Sequence, residues 1–119
     1  MKTIDCLFIH PDRRLSPIIP SGLLSIANFL EKNGLECEIL NLYVEKNPML
    51  YLLKYLRNHK IRVVAIDLDW NIHAYDAIET AKVVKKNSSA MVVLGGFTAS
   101  YFDKEIIRSP FVDGVLSNR

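Results

Sequence analysis

The chain has 119 residues, half of them hydrophobic and 24% charged, with a mean hydropathy of +0.13; one domain with a sizeable core is expected and a disordered chain is excluded. Fifteen Lys and Arg against thirteen Asp and Glu leave a net charge of +2 without any basic tract, which argues against nucleic acid as a partner. No apolar run approaches the roughly 18 residues of a membrane span, and the N-terminus carries Asp5 where a secretion signal needs its apolar region, so a cytoplasmic domain is expected.

The run from Ile4 to Ile9 reads as a buried strand, followed by a proline-rich loop from His10 to Pro20. Ser21 is placed to cap a helix whose apolar positions Leu23, Ile26, Ala27 and Leu30 share one face. Gly34 falls where a left-handed helix cap belongs, and Glu36 to Leu40 is a short second strand. Asn47-Pro48 opens a second helix, with proline at the first position, where no amide hydrogen is missed, and a stripe of Met49, Leu52, Leu53 and Leu56. Val63 to Ile66 is β-branched and apolar on both faces, as a central parallel strand requires. A third helix carries Ala74, Ala77, Ile78, Ala81 and Val84. Met91 to Leu94 is another two-sided strand, ending in Gly95-Gly96. A short helix through Phe102, Ile106 and Ile107 stops at Pro110, and Val112 to Leu116 reads as the fifth strand.

This alternation predicts an α/β fold, a doubly wound, five-stranded parallel sheet; as a flavodoxin-like, Rossmann-like sheet it is expected to have the order 2-1-3-4-5. Residues 1–119 form a single domain in this reading. The fifth strand has no helix after it, which leads to the expectation that the final helix is missing and that the chain is a fragment of a longer protein.

Ligands of such sheets bind outside the carboxyl ends of the strands. Four segments emerge there. The first, from His10 to Gly22, holds Leu15, Ile18 and Ile19 among three prolines, which would either present a stiff apolar platform to a flat ligand or partner, or fold back on the core. The turn after Leu40 is short. The segment Asp67-Leu-Asp-Trp-Asn-Ile-His73 places two carboxylates, the only tryptophan and a histidine at the central strand's end. The acids are suited to Mg²⁺, to a shared proton or simply to the positive end of the third helix, which Asn71 would cap; Trp70 suits a pocket wall. Gly95-Gly96 lets a ligand approach the backbone, and Thr98 or Ser100 offers a hydroxyl; a tight strand-to-helix turn would use the same glycines. His10 and His73 end neighbouring strands, yet without a third ligand they read as pocket-wall or surface groups. His59, beside Arg57, Lys60 and Arg62, reads as solvated surface at the sheet's far end.

Several chemistries lack their residues. No Gly-x-Gly-x-x-Gly, Walker A or Gly-x-Ser-x-Gly sequence occurs. Cys6 and Cys37 have neither zinc nor disulfide-framework spacing and lie inside strands, where they read as packed and inert thiols.

The segments Pro17-x-x-Pro20-Ser-Gly-Leu-Leu-Ser-Ile-Ala27, the strand ending at Asp69-Trp70, Lys82-Val-Val-Lys85, the run from Val92 to Ser100 and Val112-Asp-Gly-Val115 together resemble the cobalamin-binding domain of B12-dependent radical SAM proteins. The run from Val92 to Ser100 is the most specific of them, and the resemblance covers nearly the whole chain. Relatives include the magnesium-protoporphyrin IX monomethyl ester cyclase type and various methyltransferases. The resemblance implies a B12-binding fold in which Leu15, Pro20, Ser21, Gly22, Leu68, Asp69, Trp70, His73, Gly95, Gly96, Phe97 and Thr98 surround the corrin and its nucleotide tail. It implies cobalamin as cofactor. It also implies a C-terminal radical SAM domain of the parent chain as partner, with a [4Fe-4S] cluster and SAM there.

Two departures stand out. The Asp-x-His-x-x-Gly motif, whose histidine ligates cobalt in methionine-synthase-like domains, is absent after the first strand, so base-off cobalamin without a protein histidine is expected. The Cys-x-x-x-Cys-x-x-Cys motif is absent too, so no metal-ligating or catalytic residue is assigned. The competing readings are a receiver-like signalling domain, with Asp67 or Asp69 phosphorylated, and a degenerate flavodoxin-like domain without cofactor. The receiver reading lacks an acidic pair after the first strand.

Overall fold

The computed structural model of the chain describes residues 1–10, 21–67, 74–95 and 107–116. In chain order the elements are β1 (Lys2–His10), α1 (Ser21–Lys32), β2 (Cys37–Asn41), a 3-10 turn (Leu42–Val44), α2 (Pro48–Asn58), β3 (His59–Asp67), α3 (Ala74–Asn87), β4 (Met91–Gly95) and β5 (Gly114–Leu116). All strand pairs are parallel and the order is β2-β1-β3-β4-β5, the architecture expected from the alternation. Among the described residues three α-helices connect the strands. The expected fourth helix falls mainly on 96–106, outside the described residues, and 107–111 form turns.

Both central strands are longer than their apolar runs. β3 begins at His59 and not at Val63, directly at the end of α2. Its first half alternates between buried and exposed, while Val64 to Asp67 are buried throughout. β1 follows the same scheme, with Leu7 to His10 all buried. Helices therefore cover both faces only toward the carboxyl ends, and the period-two pattern of the wet halves is too short to read as a strand.

One sheet face packs against α2 and α3, where Leu7, Ile9, Leu52, Leu56, Val64, Ile66, Ala77, Ala81, Val84, Val92 and Leu94 form the main core. The other face carries Phe8, Cys37 and Ala65 under Ala27 and Leu30 of α1. The caps follow the residues. Gly34 has φ +86°, and the Leu35 and Gly34 amides donate to the Leu30 and Glu31 carbonyls, closing α1 in a Schellman-type turn. Asn47 Oδ1 accepts the Leu50 amide at 3.3 Å and Pro48 opens α2. β5 is tied on by Asp113, whose amide donates to the Val92 carbonyl and whose Oδ2 accepts the Val92 amide, both at 2.8 Å.

His59 is half-buried, not simply solvated. Its ring stacks on Tyr55 with 4.0 Å between centroids, and its Nδ1 lies 3.0 Å from the Tyr55 carbonyl.

Candidate functional site

At the carboxyl rim the strand register aligns a row of last residues: Asn41 opposite His10, Asp67 opposite Gly95, and Gly95 opposite Leu116. Since Ile9 faces Ile66, His10 and Asp67 are the next neighbours across β1 and β3. Side chains alternate along a strand, so His10 and Asp67 follow Phe8 and Ala65 onto the α1 face.

There they meet. His10 Nδ1 and Asp67 Oδ2 are 3.1 Å apart, with side chains 0% and 5% exposed. An ionised carboxylate only accepts hydrogen bonds, so Nδ1–H is the donor, and in the neutral imidazole the lone pair is then on Nε2. That Nε2 is buried and has no hydrogen-bond partner among the described residues. A buried polar atom without a partner forfeits about 1–3 kcal/mol of solvation, and such an atom at a strand end is where a ligand contact belongs.

The residues proposed from the sequence fall around this rim unevenly. Ser21 and Gly22 open α1 and Gly95 ends β4 beside Asp67. Leu15, Pro20, Leu68, Asp69, Trp70, His73, Gly96, Phe97 and Thr98 lie outside the described residues. Of the two readings of His10, pocket wall or surface, the structure excludes the surface, since the side chain is wholly buried, and it pairs the residue with Asp67, one of the two carboxylates at the end of the central strand. The pairing also leaves the receiver reading without support: the strand end beside Asp67 carries a histidine where that chemistry needs acids. The signal was available in the sequence, because each residue directly ends an apolar run and the expected order makes those runs neighbours.

Elsewhere the chemistry is quiet. Among the described residues no group of three or more His, Cys, Asp or Glu is placed to hold a metal ion. Burial, with Cys37 and Asp5 adding to it, pushes the Cys6 thiol up to about 12, and burial also raises the Cys37 thiol. Both therefore stay protonated and inert, as expected. An open groove lined by Glu31, Gly34, Leu35, Glu36, Cys37 and Glu38 lies at the opposite end of β2. No described helix is long and apolar enough to cross a membrane.

The family model of the B12 binding domain matches residues 13–117. The chain belongs to the B12-binding domain family. Two solved structures of the radical S-adenosylmethionine methyltransferase TsrM from Kitasatospora setae share the fold. One holds cobalamin and a [4Fe-4S] cluster; it matches with TM-score 0.79 and 20% identity over 90% of this chain and 20% of that one. The other holds a tryptophan substrate and a SAM analogue, and matches with TM-score 0.77 and 20% identity over 90% and 21%. This B12-binding domain thus spans about a fifth of the length of those chains. No curated protein matches it. The rim suits the family's ligand in one respect that belongs to this domain's own residues: the His10 imidazole carries a buried nitrogen without a hydrogen-bond partner among the described residues, and its partner Asp67 stands beside the strand end finished by Gly95.

Proposed function

We propose that this domain binds cobalamin at the carboxyl rim of its sheet and serves as the cofactor module of a radical SAM methyltransferase-type protein. The observation that carries the reading is the family match over residues 13–117, which runs from within the connection after β1 to the end of β5. Gly95, Ser21 and Gly22 at the rim, with Leu15, Pro20, Leu68, Asp69, Trp70, His73, Gly96, Phe97 and Thr98 in the connections that leave it, are the residues proposed to hold the corrin and its tail. Cobalamin would supply the organometallic chemistry. This domain's residues bind and orient it, while the [4Fe-4S] cluster and SAM belong to a radical SAM domain elsewhere in the parent protein. A methyltransferase-type parent is favoured over the cyclase type because the two solved structures described above are of a methyltransferase.

Titration of the purified chain with hydroxocobalamin or methylcobalamin tests the first part. The expected result is a base-off absorbance change with micromolar affinity. An unchanged spectrum, with no heat of binding at high cobalamin, overturns it.

A further inference from the structure

We propose that His10 is a ligand-recognition residue of this domain: its Nε2 accepts a hydrogen bond from an N–H or O–H group of bound cobalamin, and Asp67 is the positioning residue that keeps that lone pair available. The inference rests on the cobalamin reading above and deepens it to one atom.

Three observations meet at this atom. Nδ1 is committed to Asp67 Oδ2 at 3.1 Å, which fixes the ring's orientation and leaves the lone pair on the far nitrogen. Nε2 is buried and unpartnered among the described residues, although a fold ordinarily pairs such atoms. The ring also stands on the last residue of β1, in the rim row between Asn41 and Asp67, where open parallel sheets receive ligands. Pairing with Asp67 accounts for Nδ1 alone and leaves the acceptor on Nε2 without a structural use.

The side chain's complete burial also selects among ligand groups. A slender amide N–H or ribose O–H can reach an atom sealed in the layer between sheet and helix. A flat macrocycle bringing cobalt within bonding distance would have to open that layer. Cobalamin carries several primary amides and a ribose hydroxyl of the required kind.

The test compares the wild-type chain with two variants. In His10→Asn the amide overlays Nδ1, preserving the contact to Asp67 but not the outer acceptor. In His10→Gln the amide reaches the position of Nε2 and restores the acceptor. Hydroxocobalamin titration should show His10→Asn weakened about tenfold, the loss of about one hydrogen bond, and His10→Gln much closer to wild type. Independently of the variants' folding, the Nε2 resonance of ¹⁵N-histidine-labelled wild type should move when cyanocobalamin is added, with Nδ1 little changed. Cobalamin binding with equal affinity in His10→Asn, or with an unmoved Nε2 resonance, overturns the inference and leaves cobalamin binding standing. Failure of the wild type to bind cobalamin overturns both. A cob(II)alamin resonance spectrum whose hyperfine splitting changes with ¹⁵N-histidine labelling in the wild type but not in His10→Asn would place His10 on cobalt and overturn the hydrogen-bond assignment.

Discussion

At the scale of single residues, the pairing of His10 with Asp67 sets a tautomer. Long-range ¹H–¹⁵N spectra of the free chain should show His10 as the Nδ1–H form. In Asp67→Asn that preference should weaken, because an amide can donate to Nδ1 as well as accept from it; an identical tautomer in both proteins would mean that Asp67 does not set it. Asp113 supplies a second residue-scale expectation. Its carboxyl is held below the ordinary carboxylate value, first by the hydrogen bond from Lys85 and next by the Val92 amide, against the opposing effect of burial. A depressed folded value means that the stabilisation is complete above the unfolded value, about 3.9, and fades as pH falls through the folded one. Asp113→Asn should therefore lower the urea midpoint at pH 7, and its gap to wild type should close as the medium becomes more acid than about pH 4. Cys6 offers a simpler check. With its thiol at about 12, iodoacetamide at pH 8 should leave it unmodified in the folded chain while alkylating it readily in urea.

At the scale of elements, α2 is the clearest match between sequence and structure, and the most exposed to a single change. Leu52 is fully buried between α2 and the sheet, and Leu52→Ala should cost about 2–5 kcal/mol in urea unfolding. Asn47→Ala should cost about 1 kcal/mol through loss of the cap. These elements were legible because cap, proline and apolar stripe all lie within a dozen residues of one another. β3 was legible only in part. Its two-sided half, Val64 to Ile66, is an unbroken apolar run, whereas His59 to Arg62 mixes a ring, charges and one isoleucine and takes its strand form from pairing with Lys2 to Ile4. The 3-10 turn at Leu42–Val44 left no mark in the sequence: Leu42 is fully buried there for tertiary reasons alone.

Across the whole molecule, the doubly wound parallel sheet followed from alternation and crossover length, and so did the end of the sheet on which a ligand belongs, whereas the order 2-1-3-4-5 came from likeness to flavodoxin-like and B12-binding sheets. The His10–Asp67 contact did not follow, although its parts did. It joins positions 57 apart through a register that only the folded sheet sets. Occupancy of the rim should be visible globally: cobalamin at a hundred times its dissociation constant should raise the unfolding free energy by about 2.7 kcal/mol, and an unshifted midpoint at that concentration would contradict binding to the native state. The same register has a kinetic side. β1 lies between β2 and β3, and its ladder with β3 forms only after the chain between them, α1 and α2 included, has come round. Closing so long a loop is entropically costly before any pairing rewards it. Refolding should therefore be slower than that of a helical bundle of equal length, and destabilising changes in the β1–β3 ladder should slow it more than changes at the short edge strand β5.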